Sequence, residues 1–244
     1  MRETTCEHKV PTIPHTISKQ ARMELAAGAA PVRVPARDEC VYTSCYCEEN
    51  VYFLCQQGVG ISDAETQDAF AVFISNPPRT CPVFQQKSGR PGDGLVVWDY
   101  HVIYVVASKA SDALVFDLDT RLDFPCSLQQ YVEAALSPPN MRIPDKLRQM
   151  VRVVSARHFL ETFASDRSHM IGDNGKYQSA PPSYAPIGAP GNNLDKFWTT
   201  AGSECPSMGG EKEWRHAVEG AIDGGMPYGM CMTVPEFSDY FAVG

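Results

Sequence analysis

The most regular hydrophobic pattern in the chain is Leu95 to Ser108 (LVVWDYHVIYVVAS). As a strand it carries two faces, Val97, Asp99, His101, Ile103, Val105 and Val96, Trp98, Tyr100, Val102, Tyr104, Val106. Ala113 to Thr120 (ALVFDLDT) repeats the period of two, with Leu114, Phe116 and Leu118 set against Val115, Asp117 and Asp119. The polar stretch Lys109 to Asp112 between them is short enough for an antiparallel hairpin, so the His101 and Asp117 faces fall on one side of a sheet. Ala69 to Ser75 (AFAVFIS), closed by Asn76-Pro77-Pro78, reads as another strand, and so does Val151 to Ser155.

Helical spacing takes over elsewhere. Within Asp38 to Gln57, Cys47, Val51, Leu54 and Cys55 fall at i, i+4, i+7 and i+8, one face of a helix that starts near Ser44 or Tyr46 and is stopped by Gly58 and Gly60. Glu48 and Glu49 in its first turn suit the positive end of the helix dipole. Ser127-Leu128-Gln129-Gln130 matches a capping box and opens a helix with Leu128, Tyr131, Val132 and Ala135 inward, ending at Pro138-Pro139. Ala156 to Ala164 reads as a helix. A second capping box, Thr233-Val234-Pro235-Glu236, opens a closing helix with Phe237, Tyr240 and Phe241 on one face. Together these elements predict an α/β (α+β) fold, a mainly antiparallel central sheet flanked by helices.

Two regions lack such patterning. Residues 1–37 are rich in Pro, Ala and Arg, with one short helical patch at Lys19 to Ala27, and read as a mobile leader to a single catalytic domain at 38–244. From about 172 to 230, Gly, Pro, Ser and Asn dominate, with helical pieces only at Asn193 to Trp198 and Glu211 to Ile222. This is read as a surface excursion.

A cysteine opening a helix, a histidine on a central strand and an aspartate on the next strand meet the needs of thiolate chemistry. The helix N-terminus offers unpaired N–H groups and positive potential, which favour a thiolate and an oxyanion. His101 can take the thiol proton and return it to a leaving amine, while Asp117 fixes the imidazole tautomer. Asp119 shares the Asp117 face and could fill the same role, and Cys45 could be the reactive thiol. Cys47 is preferred because it shares the apolar stripe with Val51 and Leu54 and so faces the sheet. Zinc at Cys40, Cys45, Cys47 and His101 is disfavoured: Cys-x-Cys is not the usual knuckle spacing and no second pair follows.

Composition narrows the partners. A formal net charge of −8 argues against a phosphate-backbone partner and mildly suits a cationic ligand such as a free amino terminus. The apolar run at Leu95 is broken by Asp99 and His101 and falls short of the roughly 18 residues a membrane span needs, so no membrane partner is expected. Met1 to Lys9 carries charge with no apolar block after it, so no secretory signal is read, and a cytoplasmic or nuclear location is expected. Nine cysteines then read as reduced thiols, mostly small core hydrophobes. No heptad seam demands a partner helix, and a monomer is expected.

Several longer words carry a resemblance: SCYCEENVY at Ser44 to Tyr52, AVFISN at Ala71 to Asn76, RPGDG at Arg90 to Gly94, WDYHV at Trp98 to Val102, FDLDT at Phe116 to Thr120 and FASDRSHM at Phe163 to Met170. In this order the chain resembles the eukaryotic protein N-terminal glutamine amidohydrolases, the WDYHV family, from about Asp38 to Met170, resuming at Asn193 to Phe197 and Thr233 to Phe241. The resemblance implies a transglutaminase-like or papain-like cysteine hydrolase fold. It also implies deamidation of N-terminal Gln to Glu without cofactor or metal, feeding the arginylation branch of the N-degron pathway. By motif it places the nucleophile at Cys47, the base at His101 and the orienting acid at Asp117. A substrate amino terminus needs acceptors, for which Asp99 is the candidate, with Tyr42 and Ser44 ahead of the nucleophile as pocket residues. Two alternatives use the same residues differently: another cysteine enzyme, transglutaminase or peptidase, or a module that binds peptide N-termini without turnover.

Overall fold

A strand that is apolar on every residue must be covered on both faces, and Ala69 to Ile74 is such a strand. In the computed structural model, which describes residues 34–58, 67–108, 111–188, 190–200 and 228–242, it lies within β1 (Gln67–Ser75), in the interior of a six-stranded sheet. The strand order is β6-β5-β4-β1-β7-β8, formed by β4 (Tyr100–Ser108), β5 (Ser111–Phe116), β6 (Cys126–Ser127), β7 (Met150–Ser155) and β8 (Met230–Thr233). Every neighbouring pair is antiparallel, as the short hairpin between the two alternating segments predicts.

Alternate residues of β1 then feed two cores. Phe70, Val72 and Ile74 join Ile103, Val105, Val115, Val151 and Val153 under α2 (Leu128–Tyr131), its continuation Val132–Leu136, and α5 (Val234–Phe241). Ala71 and Phe73 join Val102, Tyr104, Phe116 and Val154 under α1 (Cys47–Gln56), α3 (Ala156–Thr162) and α4 (Leu194–Trp198). Phe73 stacks on Phe197 at 5.4 Å and meets Phe159 edge-on at 5.7 Å, so aromatic packing fastens α3 and α4 to this face.

Caps behave much as expected. Thr233 accepts from the Glu236 N–H while Glu236 returns a bond to the Thr233 N–H, a complete box with Pro235 in the first turn. Ser127 accepts from the Gln130 N–H, but the reciprocal Gln130 bond is not formed, and the helix widens to i→i+5 bonding from Val132 to Leu136 before Pro138. The helical piece expected at Glu211 to Ile222 lies outside the described residues, as does almost all of the expected leader. The last leader residues are packed: the Arg37 guanidinium donates to Thr120 O at 2.5 Å and Leu122 O at 2.7 Å.

Two strands end sooner than their alternation predicts. Leu95 to Ser108 is not one strand: β3 (Val96–Trp98) pairs with β2 (Cys81–Val83) in a separate two-stranded sheet, and the chain bends at Asp99 before β4. There the Asp99 carboxylate accepts the Tyr100 N–H at 3.0 Å, a local bond that competes with the ladder. In the second segment β5 stops at Phe116, because Asp117 Oδ1 accepts the Asp119 N–H at 2.8 Å and turns the chain.

Candidate active site

Cys47 is the first residue of α1, with Tyr46 at the cap position. No side chain caps the helix. The preceding loop is instead clamped by Asn50, which donates to Thr43 O at 2.9 Å and accepts from Thr43 N–H at 2.8 Å, while Cys45 sits in the left-handed region at φ 68°. Cys47 is 8% exposed and packs with Val51, Leu54, Val102 and Tyr104, the face the helical stripe predicts. The thiol is not depressed as the helix terminus suggests. Burial pushes it well above its ordinary value, the Glu48, Asp119 and Asp99 carboxylates add to the rise, and the Val102 N–H opposes it only in part. The resting group is therefore a thiol, donating to Glu48 Oε2 at 3.7 Å.

His101 and Asp117 are brought together as the hairpin predicts. Nε2 stands 3.1 Å from Asp117 Oδ1, and both side chains are closed to solvent. Asp117 Oδ2 also accepts from Tyr131 Oη at 2.9 Å and Gln86 Nε2 at 3.1 Å. Gln86 is delivered by the Arg90-to-Gly94 turn, where Gly94 takes φ +65° and a Cβ would lie 2.9 Å from Gln85 Cα. Burial opposes both charges, but each offsets the other: His101 is net raised by Asp117, and Asp117 is net lowered by His101 and by its hydrogen bonds. The Trp98 indole stacks on the imidazole at 5.4 Å; among the described residues neither imidazole nitrogen has a hydrogen bond of regular geometry, and Nε2 meets Asp117 as an ion pair.

The parity of β4 gives this pair a different approach from the expected one. His101 alternates with Ile103 and Val105, whose face packs under α2, whereas Cys47 comes from the α1 face, against Val102 and Tyr104. The two sides share the end of the sheet where β5 has stopped. Trp98 and Asp119 line the same cavity as Cys47. Trp98 also stacks on His101, and an Asp119 carboxylate oxygen lies within 4.8 Å of ligand atoms of His101 and Asp117. Glu48 and Asp119 act electrostatically on both the thiol and the imidazole.

Sequence reasoning did not single out the groups behind Cys47. Glu48 and Glu49, read as first-turn charges, are fully buried. Glu48 accepts from the buried Tyr100 hydroxyl at 3.0 Å and lies 3.4 Å from His169 Nε2. Glu49 takes two 2.9 Å bonds from Arg167, whose guanidinium also donates to Pro182 O and Tyr184 O. The signal available was the word FASDRSHM, where Arg167 and His169 stand two apart.

A cavity of about 760 Å³ opens over these residues, bordered by Cys45, Cys47, Trp98, Asp99, Asp119 and His169. Asp99 is thus at the cavity, half-exposed and paired with Arg79 at 3.0 Å. Tyr42 stands behind Asp119, its hydroxyl donating to Oδ1 at 2.6 Å. Ser44 is exposed: its hydroxyl lies 3.7 Å from Cys45 Sγ and also acts on the Tyr42 hydroxyl, and its backbone carbonyl accepts from the Ser179 hydroxyl at 3.5 Å. As metal ligands the structure groups His101, Asp117 and Asp119, not the cysteine set weighed from the sequence; Cys40 is turned to Ala36 O.

A thiol opening a helix, a buried histidine–aspartate pair and an acidic cavity define a cysteine-bearing α/β protein equipped for amide chemistry. The model of the N-terminal glutamine amidase family matches residues 42–220, which include Cys47, Asp99, His101, Asp117 and Asp119, and the chain belongs to that family. It is 43% identical over 165 residues, 67% of this chain and 79% of the relative, to a Bos taurus protein named protein N-terminal glutamine amidohydrolase. Proteins of the same name from Danio rerio (43% identical; 71% of this chain, 86% of the relative) and Oryza sativa subsp. indica (43%; 65% and 71%) are similar to it as well. Among the described residues no helix is long and apolar enough to cross a membrane.

Proposed function

We propose that this chain hydrolyses the side-chain amide of an N-terminal glutamine, giving N-terminal glutamate and ammonia, by a cysteine thioester route. The observation that carries the reading is the buried His101–Asp117 pair set behind a cavity wall that presents Cys47. Family membership supplies the substrate class.

In this mechanism Cys47 Sγ attacks the side-chain carbonyl carbon, and its proton passes to His101. Nδ1 is the nitrogen left to receive it, because Nε2 stands 3.1 Å from Asp117 Oδ1. The imidazolium then protonates the departing nitrogen, which leaves as ammonia. Water deprotonated by the same imidazole attacks the thioester, releasing glutamate and restoring the thiol. Asp117, held by Tyr131 and Gln86, keeps the ring oriented and favours its cationic form during both transfers. In this reading the oxyanion is held by N–H groups at the start of α1, the positive end of the helix that Cys47 opens. Product of this kind suits the arginylation branch of the N-degron pathway, with protein and peptide N-termini as the partners.

The test is ammonia release from a Gln-first peptide, from its N-acetylated form and from a peptide with Gln at position two. Release from the first alone supports the reading. Release from all three, or peptide-bond cleavage, points instead to a general cysteine amidase or peptidase.

A further inference from the structure

An enzyme limited to chain termini must recognise a positive charge, and three aspartates border the cavity, Asp99, Asp119 and Asp195, of which Asp99 and Asp119 act electrostatically on the Cys47 thiol. Their environments differ. Asp99 is half-exposed, its Oδ2 takes Arg79 at 3.0 Å and its Oδ1 takes the Tyr100 N–H, so its charge is already compensated. Asp119 is 8% exposed and has no Lys or Arg nitrogen within 4.0 Å among the described residues. Burial pushes its carboxyl up, the His101 imidazole within 4.8 Å opposes that in part, and the Lys87 ammonium, which acts in the same sense, is spent on Leu118 O at 2.8 Å. A buried carboxylate with no Lys or Arg partner is costly, and one that borders a cavity is a place where a ligand can supply a cation.

We propose that Asp119, held by the Tyr42 hydroxyl, receives the α-ammonium group of the substrate's first residue. The inference rests on the reading of the chain as an N-terminal glutamine amidohydrolase and adds the group that makes it terminus-specific. Covalent geometry agrees in scale: the α-nitrogen and the side-chain carbonyl carbon of Gln are four bonds apart, about 5 Å when extended, so their binding groups must border one cavity. Cys47 and Asp119 do. Tyr42 fixes Oδ1 from behind at 2.6 Å, leaving Oδ2 for the ligand. An acetylated or internal glutamine would cover Asp119 without neutralising it, which disfavours that complex. Since the Asp119 charge also raises the Cys47 thiol, an ammonium at Asp119 would ease thiolate formation in the presence of the correct substrate.

The experiment compares a Gln-first peptide with its des-amino analogue, in which hydrogen replaces the α-amine, by calorimetric binding to Cys47→Ala protein and by turnover with Cys47 intact. Asp119→Asn in the Cys47→Ala background is expected to weaken the Gln-first peptide about 10- to 100-fold, the range for a charged hydrogen-bond pair, and to change des-amino binding less than about twofold. Tyr42→Phe, which removes one surface hydroxyl, should shift the same ratio in the same direction by about threefold. With Cys47 intact, Asp119→Asn should cut kcat/KM for the Gln-first peptide mainly through KM. Equal loss for both peptides, or a fall in kcat at unchanged KM, overturns the proposal and returns Asp119 to a structural or His101-orienting role. Failure of the functional reading looks different: the parent protein would then release no ammonia from the Gln-first peptide, whatever residue 119 is.

Discussion

Arg167 and Glu49, 118 residues apart, meet in a two-bond fork at 2.9 Å and 2.9 Å with side chains 4% and 0% exposed. The pair ties the Asp166-to-Met170 turn to the first turn of α1, so the helix that presents Cys47 is held from behind. Glu49 lies on the turn next to the nucleophile, yet its partner comes from beyond α3.

Breaking this pair from either side leaves a buried charge alone. Arg167→Met or Glu49→Gln should therefore destabilise by about 3 to 5 kcal/mol, read as a fall in urea midpoint with little change in slope. The double variant should recover part of the loss. Additive losses would show that the two charges act independently.

The His101–Asp117 pair sets a pH dependence. Nucleophilic attack needs one proton, not two, on the Cys47–His101 couple, and Asp117 holds the imidazole above its ordinary 6.5 against burial. The acid limb of kcat/KM should thus rise with pH through a midpoint above 6.5, tending to a plateau on the alkaline side. Asp117→Asn removes the largest raising cause and leaves burial opposed only by the more distant Asp119 and Glu48, so the limb should move to lower pH as the rate falls. By linkage, the raised His101 contributes stability below its unfolded value near 6.5, and that contribution fades as pH rises through the folded value. A limb that stays put in Asp117→Asn would contradict the assignment.

Thr233 offers a control far from the chemistry. Its capping box stabilises α5, and Thr233→Ala should cost about 1 kcal/mol, a melting shift of roughly 2–4 °C, with ammonia release unchanged. A loss of activity matching Asp117→Asn would mean α5 is coupled to the site.

What the sequence disclosed was local periodicity. The 47, 51, 54, 55 stripe, the all-apolar β1, the hairpin joining His101 to Asp117 and the Thr233 box each need only neighbours within a few residues. The illegible parts depend on distance or on single side chains that interrupt a pattern. Glu48 and Glu49 look like solvent-facing first-turn charges until Tyr100, His169 and Arg167 arrive from 52 or more residues away. Asp99 and Asp117 fit the alternation of their strands and nevertheless end them, because each captures a backbone N–H. Asp119 is legible as an alternative to Asp117; its position at the cavity, with no Lys or Arg paired to it among the described residues, separates the two. The direction of the Cys47 shift was also hidden, since a helix terminus argues for a low value and the burial and carboxylates that reverse it are tertiary.

The central claim is that the sulfur of residue 47 does the chemistry, not the exposed thiol of Cys45 that borders the same cavity. Mass spectrometry of a Gln-first peptide incubated with parent, Cys47→Ala and Cys45→Ala proteins decides it, through the gain of about one dalton that amide hydrolysis gives. The account predicts conversion by the parent and by Cys45→Ala, and none above buffer by Cys47→Ala that keeps the parent's melting temperature. Conversion by folded Cys47→Ala, or its loss in Cys45→Ala alone, would contradict it.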